Sequence, residues 1–213
     1  MKRKWIRVGV AALGLLVVLL VGLFNRALLK LDYGSLFSRA GWQRPARVIE
    51  ALAIRPGDRI ADVGAGGGYF TFPLAQATGP GGVVYAVDID EAALRELGAQ
   101  AAQRGAANVV PTLATPDDSG LEPGSVDLAF FCNAFHEIEG RVAYFGRFRS
   151  VLKPGARVAS LEMRPGLLLT LMGHGDHGTG AAELRREMET SGYRLESELD
   201  FLPFQSFLLF RGE

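Results

Sequence analysis

Two kinds of apolar segment alternate along the chain from Arg59 onward. Short apolar runs predict strands, and segments whose apolar residues recur every three or four positions predict helices. The predicted strands lie near residues 59–63, 83–87, 109–113, 126–131, 156–162, 193–199 and 204–210. The predicted helices lie near residues 69–77, 91–104, 141–152 and 181–191. This order predicts an α/β fold with a mainly parallel sheet and helices on both faces.

Residues 8–24 depart from this pattern, because they contain no charge and no side-chain amide. A helix of that length extends about 26 Å, slightly less than the ~30 Å hydrocarbon core of a bilayer. It also lacks the polar stripe of a helix that packs on a globular core. We therefore expect an uncleaved transmembrane anchor. A cleaved signal peptide and an interfacial helix are the alternatives, although residues 25–29 offer no clean small-x-small cleavage site.

The chain is thus expected to have three parts. Residues 1–30 form a basic N-terminus and membrane anchor, residues 31–44 a linker or cap, and residues 45–213 one α/β domain. Pro45 stands where the first helix of that domain would begin. Basic residues nearly balance on the two sides of the anchor, so their distribution does not decide which side of the membrane holds the domain.

Charge is distributed less evenly than its total suggests. The 23 Lys and Arg balance 23 Asp and Glu, yet residues 1–30 contain six of the basic residues and no acid. The remaining 17 basic and 23 acidic residues give residues 31–213 a net charge of −6. A surface that neutralises phosphates has a basic excess, so we expect no nucleic acid partner. The single cysteine, Cys132, excludes a disulfide framework and a zinc site of four cysteines.

The glycine loop Asp62–Gly68, after the first predicted strand, is the segment most indicative of chemistry. Glycines let a ligand approach the backbone, and the following helix offers unpaired N–H groups. The dinucleotide fingerprint G-x-G-x-x-G fails, because the sixth residue counted from Gly64 is Tyr69. The carboxylate at position 62 would repel a pyrophosphate but suit a ligand with an ammonium group. Asp88, after the second strand, can accept hydrogen bonds from both hydroxyls of a ribose, with capping of the next helix as its alternative role.

These residues resemble the class I S-adenosylmethionine-dependent methyltransferases. Asp62–Gly68 is similar to the first motif of that family, and residues 85–88 to its second-strand acid. Residues 121–131 are similar to its fourth-strand motif, and residues 152–155 to the turn before its fifth strand. The resemblance covers about residues 42–211. It implies a Rossmann-like sheet of seven strands with an antiparallel last strand, and S-adenosyl-L-methionine as the cofactor.

The resemblance also implies roles for individual residues. Asp88 would bind the ribose, and Ile89 would pack on the adenine ring. Asp117 or its neighbour Asp118 would contact the adenine amine, with simple turn chemistry as the alternative. The other expected cofactor contacts, near the methionine moiety or after the fourth strand, are Asp62, Gly64, Ala65, Gly66, Gly68 and Asn133.

The segment after the fourth strand contains the candidate catalytic residues, His136 and Glu137. Methyl transfer from a sulfonium depends mainly on alignment, but an oxygen or nitrogen nucleophile often also needs a base. Packing of His136 and solvation of Glu137 are the alternatives. His174 and His177 lie in a later glycine-rich loop, where we expect an acceptor contact or an ordinary connector rather than a metal site.

We therefore expect a membrane-anchored methyltransferase that acts on a small or lipophilic acceptor, such as a quinone- or lipid-like molecule. An anchored domain can reach acceptors dissolved in the bilayer, and the need for the cofactor favours a cytoplasmic domain. A non-catalytic binding or scaffold protein with the same fold is one alternative hypothesis. An NAD-linked oxidoreductase is another, which the failed fingerprint disfavours.

Overall fold

The computed structural model describes residues 38–166 and 178–212. The chain divides into two units, residues 1–42 and residues 43–213. Helix α1, Arg39–Gln43, begins in the described part of the first unit. The predicted anchor at residues 8–24 and the loop with His174 and His177 lie outside the described residues. Over residues 38–166 and 178–212, no helix combines the length and the apolarity needed to cross a membrane.

The second unit alternates strands and helices as the apolar pattern predicts. Within its described residues the strands are β1 Arg59–Val63, β2 Val83–Asp88, β3 Val109–Leu113, β4 Val126–Cys132, β5 Leu152–Met163, β6 Tyr193–Leu199 and β7 Gln205–Gly212. The helices are α2 Pro45–Ala51, α3 Thr71–Thr78, α4 Glu91–Gln103, α5 Arg141–Phe148 and α6 Ala181–Thr190. Short 3₁₀ turns occupy Phe135–Glu137 and Arg149–Val151.

The strands of the described chain form one seven-stranded sheet in the order β3-β2-β1-β4-β5-β7-β6. Neighbours from β3 to β5 are parallel, whereas β7 is antiparallel to both β5 and β6. The predicted Rossmann-like sheet with an antiparallel last strand is therefore confirmed. The strand order reverses between β1 and β4, and a ligand crevice is expected at the carboxyl ends of strands at such a point.

Strand β4 is apolar on both faces because each face packs in a hydrophobic core. Phe130 packs edge-to-face on Phe70 with ring centroids 4.9 Å apart, on one side of the sheet. Phe131, its neighbour, packs on Phe145 on the other side, at 5.1 Å. Because successive side chains of a strand point to opposite faces, both faces of β4 lie in a core. The cleft described below opens beyond the carboxyl end of this buried strand.

Strand β5 differs from its prediction at one end. The turn predicted at residues 153–155 lies inside the strand, which begins at Leu152. The pairing with β4 passes from Val126–Leu152 to Leu128–Arg157, so extra residues bulge out of the ladder. Gly155, with a φ of 78°, permits this bulge because it has no Cβ. The residues predicted to form a turn are therefore part of a continuous strand.

Candidate active site

The glycine loop leaves β1 where the strand order reverses. The N–H groups of Gly64 and Ala65 both donate to the carbonyl oxygen of Val87, at 2.9 and 3.1 Å, and tie the loop to β2. Gly64 has a φ of 75° and Gly66 a φ of 48°, where side chains are strongly disfavoured. A Cβ at position 64 would stand 2.7 Å from the Cβ of Ala134. Both the backbone conformation and this close approach therefore require glycine at position 64.

Asp88 holds the loop from the neighbouring strand. Its Oδ2 accepts a hydrogen bond from the N–H of Gly66 at 2.8 Å, and its Oδ1 accepts one from the N–H of Asp90 at 3.0 Å. The capping role belongs to Asp90, whose side chain accepts from the N–H groups of Ala92 and Ala93 at the start of α4. A carboxylate oxygen has two acceptor sites, so both oxygens of Asp88 retain capacity for a ligand.

A cleft of about 550 Å³ opens at the carboxyl ends of β1, β2 and β4. The glycine loop, the end of β2, the turn after β3 and the segment after β4 line this cleft. Ile89 borders it with 64% of its surface exposed. A large apolar side chain exposed beside a glycine loop provides a surface on which a planar ring can pack.

The charges of the cleft oppose a pyrophosphate ligand. Its charged lining residues in the described chain are Asp88, Glu137 and Glu139, all acidic. The N–H groups of Gly64 and Gly66 donate within the protein, where a phosphate site would direct them to the ligand. The cleft therefore suits a neutral or cationic ligand.

Three of the predicted cofactor contacts are not among the residues that line the cleft, and their role toward a cofactor stays a prediction. Asp62 is buried, and its Oδ2 accepts a hydrogen bond from the hydroxyl of Thr71 at 2.6 Å. Ala65 packs in the core. A Cβ at Gly68 would stand 2.8 Å from the ring of Phe72. These residues shape the loop and its junction with α3, because their contacts are with the protein.

Asp117 and Asp118 are also absent from the lining of the cleft, and their contact with adenine stays a prediction. Asp118 completes a turn, since its carbonyl oxygen accepts from the N–H of Thr115 at 2.8 Å. The side chain of Asp117 is 88% exposed and pairs with Arg147 at 3.1 Å. These contacts are those of a turn, and Thr115 and Pro116 of the same segment line the cleft.

Asn133 lies where β4 ends and lines the cleft. It has a φ of 53°, a left-handed conformation that asparagine adopts more readily than most residues. Its N–H donates to the carbonyl oxygen of Leu161 at 2.7 Å. Its Oδ1 accepts from the Nε2 of Gln205 at 2.9 Å. Gln205, on the antiparallel strand β7, therefore orients a side chain of the cleft.

His136 lies in the turn after β4, beside the cleft but not among its lining residues. Its Nδ1 is 2.9 Å from the Oε2 of Glu162, a fully buried residue on β5. The other oxygen of Glu162 accepts from the N–H of Phe135 at 2.7 Å. The Nε2 of His136 is 4.0 Å from the Oε1 of Glu137, which lines the cleft. The hydrogen bond to Glu162 raises the pKa of His136 above its ordinary value of 6.5, although burial opposes the rise.

Glu162, Gln205 and Tyr144 were not predicted from the sequence. The available signal was a polar residue in each of two apolar strands, at the end of β5 and at the start of β7. Tyr144 lines the cleft from α5, and burial raises the pKa of its hydroxyl to about 12. Within the part of the chain that the structure describes, no group of three or more His, Cys, Asp and Glu side chains could hold a metal ion.

Known proteins share both sequence and fold with this chain. Residues 61–158 match the family model described as a methyltransferase domain. The nocamycin O-methyltransferase of Saccharothrix syringae is 33% identical over 112 residues, which are 53% of this chain and 40% of that protein. The 2-phytyl-1,4-naphtoquinone methyltransferase of Synechococcus elongatus is 32% identical over 129 residues, 57% of this chain and 52% of that protein. The chain thus spans about half the length of these relatives.

Solved structures show the same architecture at lower identity. A SAM-dependent methyltransferase from Aquifex aeolicus superposes with a TM-score of 0.74 at 20% sequence identity. The match covers 83% of this chain and 94% of the other. At this identity the likeness concerns the fold.

Proposed function

We propose that residues 61–158, which match a methyltransferase domain model, form a class I S-adenosylmethionine-dependent methyltransferase domain, and that the protein methylates a small or lipophilic acceptor. When bound, S-adenosyl-L-methionine supplies a methyl group on a sulfonium, which is a good leaving group. The chain must then align an acceptor with that methyl group and exclude water. The single observation that supports this function best is the arrangement of Asp88 and Ile89 around the glycine loop.

The residues of the cleft fit this cofactor. Both oxygens of Asp88 have acceptor capacity beyond their bonds to the N–H groups of Gly66 and Asp90, which suits the two hydroxyls of a ribose. The exposed side chain of Ile89 suits the adenine ring. The acidic lining suits a ligand with a sulfonium and an ammonium group. Gly64 and Ala134 both line the cleft, and they approach so closely that a side chain at position 64 would clash with Ala134.

The acceptor class is proposed on two grounds. The matched relatives are named as enzymes that act on nocamycin and on a phytyl-naphtoquinone. The net charge of −6 over residues 31–213 disfavours a polyanionic acceptor. A small or lipophilic molecule with a nucleophilic atom satisfies both.

We also propose that residues 8–24 anchor the domain to a membrane, with the domain on the cytoplasmic side. The uninterrupted apolar run supports the anchor, and the cofactor requirement supports the side. Alkaline carbonate extraction of membranes should leave the full chain in the pellet, and a variant without residues 1–30 should appear in the supernatant. Release of the full chain by carbonate would contradict the anchor. Protease digestion of intact cells would contradict the proposed side if it removed the domain.

Calorimetry with S-adenosylmethionine, S-adenosylhomocysteine and NAD tests the proposed cofactor. The first two should bind and NAD should not. Asp88→Ala should weaken binding roughly tenfold or more, because each hydrogen bond to a carboxylate is worth ~1.5–3 kcal/mol. Asp200→Ala is the matched control, since this exposed acid pairs with Arg164 and does not line the cleft, and it should leave the affinity unchanged.

Binding of NAD alone would overturn the proposal, and so would full affinity in Asp88→Ala. Cofactor binding without turnover on any cell extract would favour a non-catalytic binding protein with this fold.

A further inference from the structure

Glu162 is a carboxylate enclosed by the protein at the end of β5, with none of its surface exposed. Both of its oxygens are used on the turn after β4: Oε1 accepts from the N–H of Phe135 and Oε2 contacts the Nδ1 of His136. Burial of a carboxylate is costly unless a partner compensates it. A neutral glutamine could accept the N–H of Phe135 without that cost. The charge therefore acts on the other partner, the imidazole.

The contact with Glu162 fixes the orientation of the imidazole. With Nδ1 directed to Glu162 at 2.9 Å, Nε2 is directed to the side where Glu137 stands, at 4.0 Å from its Oε1. Glu137, like Asn133 and Ala134 before it, lines the cleft. The side chain of His136 is only 11% exposed, so the surrounding protein restricts its rotation. The imidazole therefore lies between the buried Glu162 and a residue that lines the cleft, in the segment beyond the end of β4.

The charged groups around the imidazole stabilise its protonated form. Glu162 faces it from β5, Glu137 from the same turn, and Arg141 from the start of α5. The guanidinium of Arg141 opposes protonation, but Glu183 and Glu187 of α6 engage it in ion pairs at 2.9 and 2.5 Å. The hydrogen bond to Glu162 is the strongest influence, and it raises the pKa of His136.

We propose that His136 removes the proton from a hydroxyl group of the methyl acceptor, and that Glu162 is the positioning residue which orients its imidazole. The acceptor is then an alcohol, phenol or enol that attacks through oxygen. This inference rests on the proposed methyltransferase function. A neutral amine already has a lone pair for the attack, whereas a hydroxyl becomes a strong nucleophile only as its proton leaves.

The step balances without a further reactant. The hydroxyl proton moves to Nε2 of His136, and the acceptor oxygen forms a bond to the methyl carbon of the sulfonium cofactor. The carbon–sulfur bond breaks, and its electron pair stays on sulfur, which becomes neutral. Glu162 stabilises the imidazolium until the proton passes to water. The arrangement is a carboxylate–histidine pair in which the carboxylate holds the tautomer and orientation of the base.

The experiment compares wild type with Glu162→Gln, Glu162→Asp and the surface control Glu189→Gln. The probes are 1-naphthol, its matched amine 1-naphthylamine, and S-adenosylmethionine labelled in its methyl group. Glu162→Gln should lower kcat on the naphthol at least about tenfold and leave cofactor affinity within about twofold, because Glu162 does not line the cleft. Glu162→Asp should recover part of the loss, and Glu189→Gln should behave as wild type.

A second readout does not depend on activity. The pKa of His136, followed by NMR of the imidazole in the protein saturated with S-adenosylhomocysteine, should fall in Glu162→Gln. The midpoint of the pH profile of kcat should fall with it, since the same group must be neutral to accept the proton. A purely structural role for Glu162 would lower kcat without moving the pH midpoint. If Glu162→Gln does not fold, His136→Asn makes the same test and should lose naphthol methylation while it retains cofactor binding.

Three results would overturn the inference: an unmoved pH midpoint, a naphthylamine methylated as fast as the naphthol, or no methylation of the naphthol by a protein that binds the cofactor. Absence of cofactor binding would instead contradict the proposed function, so the two failures are distinguishable.

Discussion

The two sides of the cleft are built by different means. On the loop side, formed by Gly64, Gly66, Asp88 and Ile89, the polar contacts run from backbone N–H groups to a carbonyl and a carboxylate. On the strand side, the side chains of Asn133, His136, Glu162 and Gln205 bind one another in two pairs. The loop side therefore depends on backbone shape, and the strand side depends on side-chain chemistry.

From this difference we expect the two sides to have separate tasks. A backbone shaped by positive φ angles and close approaches can hold one fixed ligand, which is the task of a cofactor site. Side-chain pairs between the segment after β4 and strands β5 and β7 present polar groups whose chemistry suits the recognition of an acceptor. We expect substitutions on the loop side to change cofactor affinity, and substitutions on the strand side to change turnover.

Gly64→Ala should have the largest effect. The added Cβ would stand 2.7 Å from that of Ala134, and the φ of 75° is unfavourable for alanine. Strain and overpacking together should cost about 2–4 kcal/mol in the free energy of unfolding, and cofactor affinity should fall at least tenfold. Chemical denaturation and calorimetry measure the two effects.

Gly67→Ala is the control for this substitution. Its φ is not positive and no atom lies within 4 Å of the added Cβ, so the free energy of unfolding should change by less than about 0.5 kcal/mol. Equal stabilities for the two variants would show that the approach to Ala134 does not constrain the loop.

Gly68→Ala separates the two kinds of loop glycine. Its Cβ would stand 2.8 Å from the ring of Phe72 and 3.3 Å from Leu97, and the φ of 80° adds strain. The free energy of unfolding should fall by about 1–3 kcal/mol, while cofactor affinity should change little because Gly68 does not line the cleft. A loss of cofactor affinity as large as in Gly64→Ala would show that Gly68 belongs to the cofactor site.

The loop side could be predicted from the sequence because its requirements select particular residue types. Positive φ angles select glycine, as at Gly64, and a carboxylate after a parallel strand is conspicuous, as at Asp88. The same logic is less specific at Asp117 and Asp118, because an acid after a strand also suits a turn. Arg147, which pairs with Asp117, lies 30 residues further along the chain and could not be identified as its partner from the sequence.

The strand side could be predicted only in part. The buried strand β4 pointed to the segment with Asn133 and His136. Their partners come from β5 and β7, which reach β4 only through the pairing of the sheet. Glu162 is 26 residues from His136, and Gln205 is 72 residues from Asn133. A glutamate or glutamine in an apolar strand does not reveal its partner before the register is known.

Gln205→Met tests the second pair on the strand side. The change leaves the Oδ1 of Asn133 without the Nε2 donor, but it also removes Oε1, which has no hydrogen-bond partner among the described residues. The free energy of unfolding should therefore fall by only about 1 kcal/mol. Cofactor affinity should be retained.

Gln100→Met, at a half-buried position of α4, is the matched control. Urea denaturation of both variants measures the difference. A cofactor affinity reduced in Gln205→Met as strongly as in Asp88→Ala would contradict the division between the two sides.

The smallest expected effect is a dependence of stability on pH. The fold raises the pKa of His136 above 6.5, chiefly through the hydrogen bond to Glu162, so the folded protein holds that proton more tightly than the unfolded chain does. The contribution to the free energy of unfolding is complete below a pH of about 6.5 and is lost as the pH rises through the raised pKa. The difference in stability between wild type and His136→Asn should shrink over that range.

Urea denaturation of both proteins, from about pH 6 to about pH 9, measures this difference. The comparison of the two proteins isolates His136, because every other titrating group is common to both. Glu162→Gln should give a flatter pH dependence than wild type, since it removes the charge that raises the pKa while its amide oxygen can still accept the N–H of Phe135. A stability difference that stays constant with pH would mean that the contact between Glu162 and His136 does not favour the imidazolium, and the strand side would then lose its proposed base.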